Sequence, residues 1–121
     1  MVQLRLLEHN IQAAPPIKDT GNDLIAVNGN VFRAIQVKTR TGAGFSWKQD
    51  ELPEHFHILA LVGLVFEGSR LLLDQSPIYL LGRGDVDKSS YSQPELTEHG
   101  FLMTPARVAT LFSDLPPAHA S

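Results

Sequence analysis

The stretch DLIAVNGNVFRAIQVKTR, residues 23–40, decides the fold of this chain. Two runs rich in β-branched and aromatic residues flank the tripeptide NGN, and Asn and Gly tolerate the positive φ angles that tight hairpin turns require. The stretch therefore predicts a β-hairpin. In its second strand successive side chains alternate between two faces, so Phe32, Ala34, Gln36 and Lys38 are expected on one face.

The polar residues of this hairpin fall at one of its ends. Residues equidistant from a turn face one another, which places Asp23 of the first strand close to Gln36 and Lys38 of the second. Mg²⁺ prefers oxygen ligands and is often held by one or two carboxylates together with water and substrate phosphate. A neighbouring lysine can orient the attacking water and stabilise charge on the phosphoryl oxygens. The three side chains together therefore indicate a phosphate-hydrolysing metal site.

Each of the three residues also has a purely structural explanation. Asp23 could accept hydrogen bonds in the loop that follows Gly21, and Gln36 could be a satisfied amide on a half-exposed face. Lys38 could lay its aliphatic stem along the strand end and keep its ammonium group in water. The hairpin that joins the three residues is what favours a shared site.

The rest of the chain reads as one domain around this hairpin. Residues 2–10 have helical spacing, residues 40–55 are polar and predict a loop, and residues 56–66 are too continuously apolar for a strand with a wet face. Residues 77–82 predict a further strand. The order is helix, hairpin, strand, strand, helix, which is an α/β or α+β arrangement with a mixed β-sheet flanked by helices, the first of them short.

A helix is predicted near the end of the chain from its capping residues. Thr104 is a typical N-cap and Pro105 suits the first helical position, so a helix is expected to begin there. Residues 83–100 are polar and are expected to be irregular. We expect a single domain over residues 1–115 and a flexible tail over residues 116–121.

Composition and charge limit the class of protein. The 121 residues contain no cysteine, so disulfides and thiolate metal sites are excluded, and no signal-peptide pattern or membrane-length apolar run is visible, so a cytoplasmic location is expected. The net charge of −3 argues against non-specific nucleic-acid binding. The first 48 residues nevertheless carry a balance of +3 and the remainder −6, so a locally basic face is available to a phosphate backbone.

The hairpin residues also resemble a known signature. Asp23, a gap of 12 residues and then Gln36-Val37-Lys38 resemble the PD-(D/E)xK nuclease motif, in particular its Holliday-junction-resolvase-like and homing-endonuclease-like branches. The resemblance implies a restriction-endonuclease-like fold and a Mg²⁺- or Mn²⁺-dependent endonuclease that hydrolyses DNA, with a homodimer to cut both strands. It implies Asp23, Gln36 and the Val37 carbonyl as metal ligands, and Lys38 as the catalytic lysine beside the attacking water.

The chain departs from that family pattern at two places. Gln36 stands where the family usually has an acidic residue, which removes one negative charge and should lower metal affinity. The family also has a glutamate on its first helix, whereas Glu8, the one carboxylate of this helix, lies 15 residues before Asp23 and near the helix end. We expect the matching glutamate to fall before Met1.

Further residues are candidates for binding nucleic acid or metal. Arg40 lies one pleat beyond Lys38 on the same face, and Trp47 and Lys48 of the following loop could stack on bases and pair with phosphates. The alternative for Trp47 is a loop aromatic that folds back on the core. His55 and His57 could bind Zn²⁺ with a third ligand, or be polar surface residues.

Three functions are therefore open from the sequence. The leading hypothesis is a magnesium-dependent endodeoxyribonuclease with Asp23, Gln36 and Lys38 at its centre. The alternative is a catalytically inactive nuclease-fold module that binds nucleic acid or a partner. The third is a small protein-interaction domain in which the motif is coincidental.

Overall fold

The computed structural model describes residues 2–9, 11–14, 24–28, 31–41, 44–48, 52 and 55–112. These residues form an α+β domain with a mixed sheet and short helices. The helices are α1 (Val2–Leu7), α2 (Gln93–Glu98) and α3 (Pro105–Leu111). The strands are β1 (Gln12–Ala14), β2 (Leu24–Asn28), β3 (Val31–Arg40), β4 (Gly44–Ser46), β5 (Ile58–Gly63), β6 (Phe66–Glu67), β7 (Arg70–Leu71), β8 (Ile78–Gly82) and β9 (Ser90–Ser92). Among the described residues, no helix has both the length and the apolar character that crossing a bilayer requires.

The main sheet has five strands in the order β1-β2-β3-β5-β8. Strands β2 and β3 form the predicted antiparallel hairpin, with Asn28 opposite Val31 and Leu24 opposite Ile35. Strand β5 returns parallel to β3, and the remaining neighbours are antiparallel. The predicted mixed sheet is confirmed.

Strand β5 lies inside the sheet and is covered on both faces. All six of its residues are buried, as the unbroken apolar run predicts. Its neighbours are β3 and β8. This burial makes β5 the rigid support beside which the polar residues of β3 are held.

The two faces of the sheet carry separate apolar clusters, named here for the elements that cover them. The cluster on the α1/α3 face comprises Val2, Leu6, Ile11, Leu24, Ala26, Ile35, Ile58, Ala60, Val62, Ile78, Leu80, Val108 and Phe112. The cluster on the β4/β9 face comprises Phe45, Trp47, Phe56, Leu59, Leu61, Tyr79, Leu81, Tyr91 and Leu96.

Two stretches predicted as irregular contain regular structure. Strand β4 lies within the predicted loop of residues 40–55 and pairs with β9, Phe45 opposite Tyr91. Helix α2 lies within residues 83–100. Its first turn is closed by a capping box, in which Ser92 Oγ accepts from the Glu95 amide at 3.3 Å and the Glu95 carboxylate accepts from the Ser92 amide at 2.9 Å. The prediction of irregular structure there was wrong, because residues 92–95 match the S-x-x-E signature that starts a capped helix.

The predicted start of the last helix is confirmed. Thr104 caps α3 by accepting from the Arg107 amide at 3.1 Å, and Pro105 opens the helix. The Arg107 side chain then ties the helix to the sheet, with Nε donating to the Leu80 carbonyl at 3.0 Å and Nη2 pairing with Asp85 at 2.6 Å. Strand β1 was not predicted, and the tail of residues 116–121 lies outside the described residues.

Candidate phosphate and metal site on strand β3

Strand β3 sets the direction of the candidate side chains. Ile35 belongs to the cluster on the α1/α3 face, and Val37 packs against that same cluster. Because side chains alternate along a strand, Gln36 and Lys38 lie on the opposite, β4/β9 face. The predicted shared face of Gln36 and Lys38 is confirmed.

Gln36 has the one buried side-chain oxygen of this strand that lacks a hydrogen-bond partner among the described residues. Its side chain is buried, with 8% of its surface exposed, yet its Oε1 accepts no hydrogen bond from any residue that the structure describes. A buried acceptor left unpaired costs on the order of 1–3 kcal/mol, so such atoms are uncommon in folded proteins. A ligand that donates to this oxygen or coordinates it would remove the cost.

Lys38 lies close to this oxygen acceptor. It stands two residues further along β3, opposite Leu61 of β5, and its side chain is half-buried. Two residues of extended strand span about 6.6 Å, a distance that the long side chains of Lys and Gln can bridge to a shared small ligand. The buried oxygen of Gln36 and the half-buried side chain of Lys38 therefore lie on the same face of β3.

Asp23 lies outside the described residues, so its predicted approach to Gln36 stays a prediction. Its neighbour in sequence, Leu24, pairs with Ile35, the residue immediately before Gln36. The register of the described hairpin thus ends one residue short of the predicted contact. The role of the Val37 carbonyl as a metal ligand also stays a prediction.

The candidate nucleic-acid contacts differ in their surroundings. Arg40 donates from Nη2 to the Ser46 carbonyl and from Nη1 to the Thr39 carbonyl, both at 2.8 Å, and so holds β4 against β3. Trp47 is 8% exposed and stacks on Tyr91 with ring centroids 5.8 Å apart, which is the alternative in which this aromatic folds back on the core. Lys48 is exposed on the surface.

His57 is held by the backbone of β3, a contact that was not predicted from the sequence. Its Nδ1 accepts from the Ala34 amide at 2.8 Å, while its own amide donates to the Ala34 carbonyl at 2.9 Å. Partial burial, and secondly the positive charge of Arg33, lower the pKa of His57 below its ordinary value. The one sequence signal for this role was its place directly before the buried strand β5.

The zinc alternative gains no support from these contacts. The Nδ1 atom of His57 is engaged with a backbone donor, so this nitrogen is not available to a metal. Within the described part of the chain, no group of three or more His, Cys, Asp or Glu side chains is placed to hold a metal ion.

The donor chemistry of the β3 site suits a hard cation. Gln36 Oε1 is a buried oxygen without a described partner, and oxygen is the ligand type that Mg²⁺ takes. Mg²⁺ usually keeps several waters, so a few protein oxygens are sufficient. A neutral amide contributes less attraction than a carboxylate, and the site therefore needs the negative charge of Asp23 or of a bound phosphate.

Comparison with known proteins does not identify a family for this chain. No protein-family model matches the chain, no curated protein matches its sequence, and no solved structure matches its fold.

Proposed function

We propose that the chain is a restriction-endonuclease-like, metal-dependent endonuclease that hydrolyses DNA phosphodiester bonds in the cytoplasm. The observation that carries the proposal is the buried Gln36 Oε1, which has no partner among the described residues and lies on the same face of β3 as Lys38. A neutral packing role does not account for a polar atom that is buried without a partner. A bound cation would coordinate Gln36 Oε1, and a bound phosphate would pair with the Lys38 ammonium group.

The residues take separate roles in this proposal. Asp23, Gln36 and the Val37 carbonyl would hold Mg²⁺ or Mn²⁺, which when bound neutralises phosphate charge and favours the hydroxide form of water. The Lys38 ammonium donates to the attacking water or to a phosphate oxygen and orients it toward the phosphorus. Hydrolysis then adds this water across one P–O bond, and the leaving oxygen takes up a proton. Pairing with β5 holds the strand that carries both Gln36 and Lys38.

The test is cleavage of supercoiled plasmid with Mg²⁺ or Mn²⁺ by matched variants. Asp23→Asn and Lys38→Met each remove one proposed group at nearly constant volume, and both are expected to lower cleavage by roughly 100-fold or more, since each supplies charge stabilisation. Lys88→Met is the control, because Lys88 is an exposed lysine that pairs with Glu95 at 2.9 Å. Equal cleavage by wild type, Asp23→Asn and Lys38→Met would refute the assignment and point to a contaminating nuclease.

The second candidate is a module of the same fold that binds nucleic acid without cutting it. The observation that favours it is the amide at Gln36, which leaves the site one negative charge short of the carboxylate pair. This module would retain DNA on a column, keep that retention in Asp23→Asn, and leave plasmid intact with Mn²⁺. The same set of proteins therefore separates the two candidates.

We further propose that two copies of the chain pair, because a pair of such sites would present one site to each DNA strand. Leu7 of α1 is 57% exposed, which leaves an apolar side chain at the end of the short first helix available to a second copy. Light scattering of wild type and Leu7→Glu tests this pairing. A monomeric mass for wild type across the working concentration range would contradict it.

A further inference from the structure

His57 is fixed in one tautomer by the backbone of β3. The Ala34 N–H donates to Nδ1 at 2.8 Å, and a nitrogen that accepts a hydrogen bond carries no proton. The imidazole proton of the neutral ring is therefore on Nε2. Because Nδ1 faces the β3 backbone and the side chain is exposed, the Nε2–H is the group that a surface ligand meets.

This donor lies at the start of the candidate site. Ala34, to which the imidazole is bound, shares a face with Gln36 and precedes it by two residues, about 6.6 Å of extended strand. The His57 amide also donates a hydrogen bond to the Ala34 carbonyl at 2.9 Å, so both the backbone and the side chain of His57 are aligned with Ala34. Ala34, Gln36 and Lys38 thus follow one another on one face of β3, and the imidazole of His57 is bonded to the backbone of the first of them.

The charge around the imidazole favours an anion. The guanidinium of Arg33 is near enough to act on His57 electrostatically, from the α1/α3 side of the sheet. Arg33 is itself anchored, with Nε donating to the Leu111 carbonyl at 3.1 Å. A fixed, exposed N–H donor with one guanidinium near it is suited to a phosphate oxygen.

We propose that His57 is a phosphate-binding residue whose Nε2–H donates to a non-bridging oxygen of the nucleic-acid strand that passes Gln36 and Lys38. This inference rests on the proposed function, because it takes DNA as the ligand of the β3 site. The imidazole acts as a neutral donor, so it positions the strand without adding charge. Its second role is to cap the Ala34 amide.

Two substitutions separate these roles. In His57→Asn, the Asn side-chain oxygen takes the place of Nδ1 and can still accept from the Ala34 amide, but the Nε2–H is lost. In His57→Gln, the longer amide reaches the place of Nε2, whereas the Ala34 amide loses its acceptor. The control is His9→Asn, the same chemical change at the end of α1, which packs on the opposite face of the sheet.

The experiment measures the Kd for a short DNA duplex by fluorescence anisotropy in Ca²⁺, together with the urea midpoint of each protein. His57→Asn is expected to weaken binding roughly 10- to 100-fold, as for a lost hydrogen bond to a charged group, with its midpoint unchanged. His57→Gln is expected to recover part of the affinity but to have the lower midpoint. His9→Asn should match wild type in both measurements.

The salt dependence of Kd gives a readout that a structural role would not produce. A neutral donor releases no counterion from DNA, so His57→Asn should keep the wild-type slope of log Kd against log salt concentration. Lys38→Met should lower that slope by about 0.9 for the phosphate it no longer neutralises. A reduced slope in His57→Asn would mean that a charged imidazole binds DNA, and would overturn the proposed neutral donor.

The outcomes separate the inference from the function on which it rests. If wild type binds no DNA, both are overturned. If wild type binds DNA and His57→Asn binds equally well, the inference on His57 alone is overturned. The inference on His57 is also overturned if His57→Gln binds DNA more weakly than His57→Asn. Affinity would then follow stability, and His57 would act only as a cap on the Ala34 amide.

Discussion

Gln36→Met tests whether the amide of Gln36 is kept for a ligand at the expense of stability. Methionine has nearly the volume and the flexibility of glutamine, but it has no oxygen that requires a partner. Gln36 is 8% exposed and its Oε1 has no partner among the described residues. The substitution is therefore expected to stabilise the protein while it removes the proposed metal ligand.

The size of the effect follows from the cost of the buried acceptor. Removing a desolvated, unpaired acceptor should raise the free energy of unfolding by about 1–2 kcal/mol, the lower part of the usual range, because the amide nitrogen is lost as well. The entropy of unfolding is about 2.1 cal/mol/K per residue near 60 °C, and the chain has 121 residues. One kcal/mol thus corresponds to a shift in Tm of about 4 °C, and Gln36→Met should melt about 4–8 °C above wild type.

The assay is thermal unfolding followed by circular dichroism in EDTA, with plasmid cleavage measured on the same samples. Gln12→Met is the control, because Gln12 is exposed on β1 and this change should stay within about 0.5 kcal/mol of wild type. A Tm for Gln36→Met below that of wild type would refute the reasoning. It would mean that Oε1 has a hydrogen-bond donor in the metal-free protein, and the argument for a ligand at this atom would be lost.

The remaining predictions concern metal, pH and a helix cap. Gln36→Glu should melt below wild type in EDTA, because it buries a carboxylate. Mg²⁺ at 100 times its Kd should then raise the free energy of unfolding of this variant by about 2.7 kcal/mol. A Tm that is the same with and without Mg²⁺ would contradict this prediction. The pKa of His57 is lowered on folding, so below its ordinary value of 6.5 the unfolded chain takes up a proton that the folded chain resists. The free energy of unfolding should therefore fall as the pH drops below about 6.5, and urea titrations should show no such component in His57→Asn. Ser92→Ala removes the side-chain cap of α2 and should cost about 1 kcal/mol in a urea titration, whereas the loss should be only a few tenths for Ser92→Gly.

The hairpin and the central strand could be predicted because their signals are local. The NGN turn fixes the register of β2 and β3, so Leu24 lies opposite Ile35 without any long-range information. The face shared by Gln36 and Lys38 follows from the period of two in an extended strand. The burial of β5 follows from its unbroken apolar composition.

Strands β4 and β9 were not predicted because their pairing is distant in sequence, whereas the capping signal of α2 is local. Strand β4 has three residues, and its partner β9 lies more than forty residues further along the chain, so no pattern within either segment indicates the pair. The burial of Trp47 follows from this same pairing, since its ring packs on Tyr91 of β9. The engagement of His57 with the Ala34 amide likewise requires the parallel alignment of β3 and β5.

In the proposed site, the identity of residue 36 would reflect a balance between folding and ligand binding. A glutamate buried to this degree without a cation would be costly, because burial penalises a charged carboxylate far more than a neutral amide. Glutamine keeps an oxygen ligand at a lower cost to the metal-free fold, but it gives up attraction for a divalent cation. In the proposed site the missing negative charge would be supplied by the phosphate of the substrate, which would share the cation with Asp23. Metal and DNA should for this reason bind as a linked pair, and the amide at Gln36 would make the site depend on its substrate for assembly.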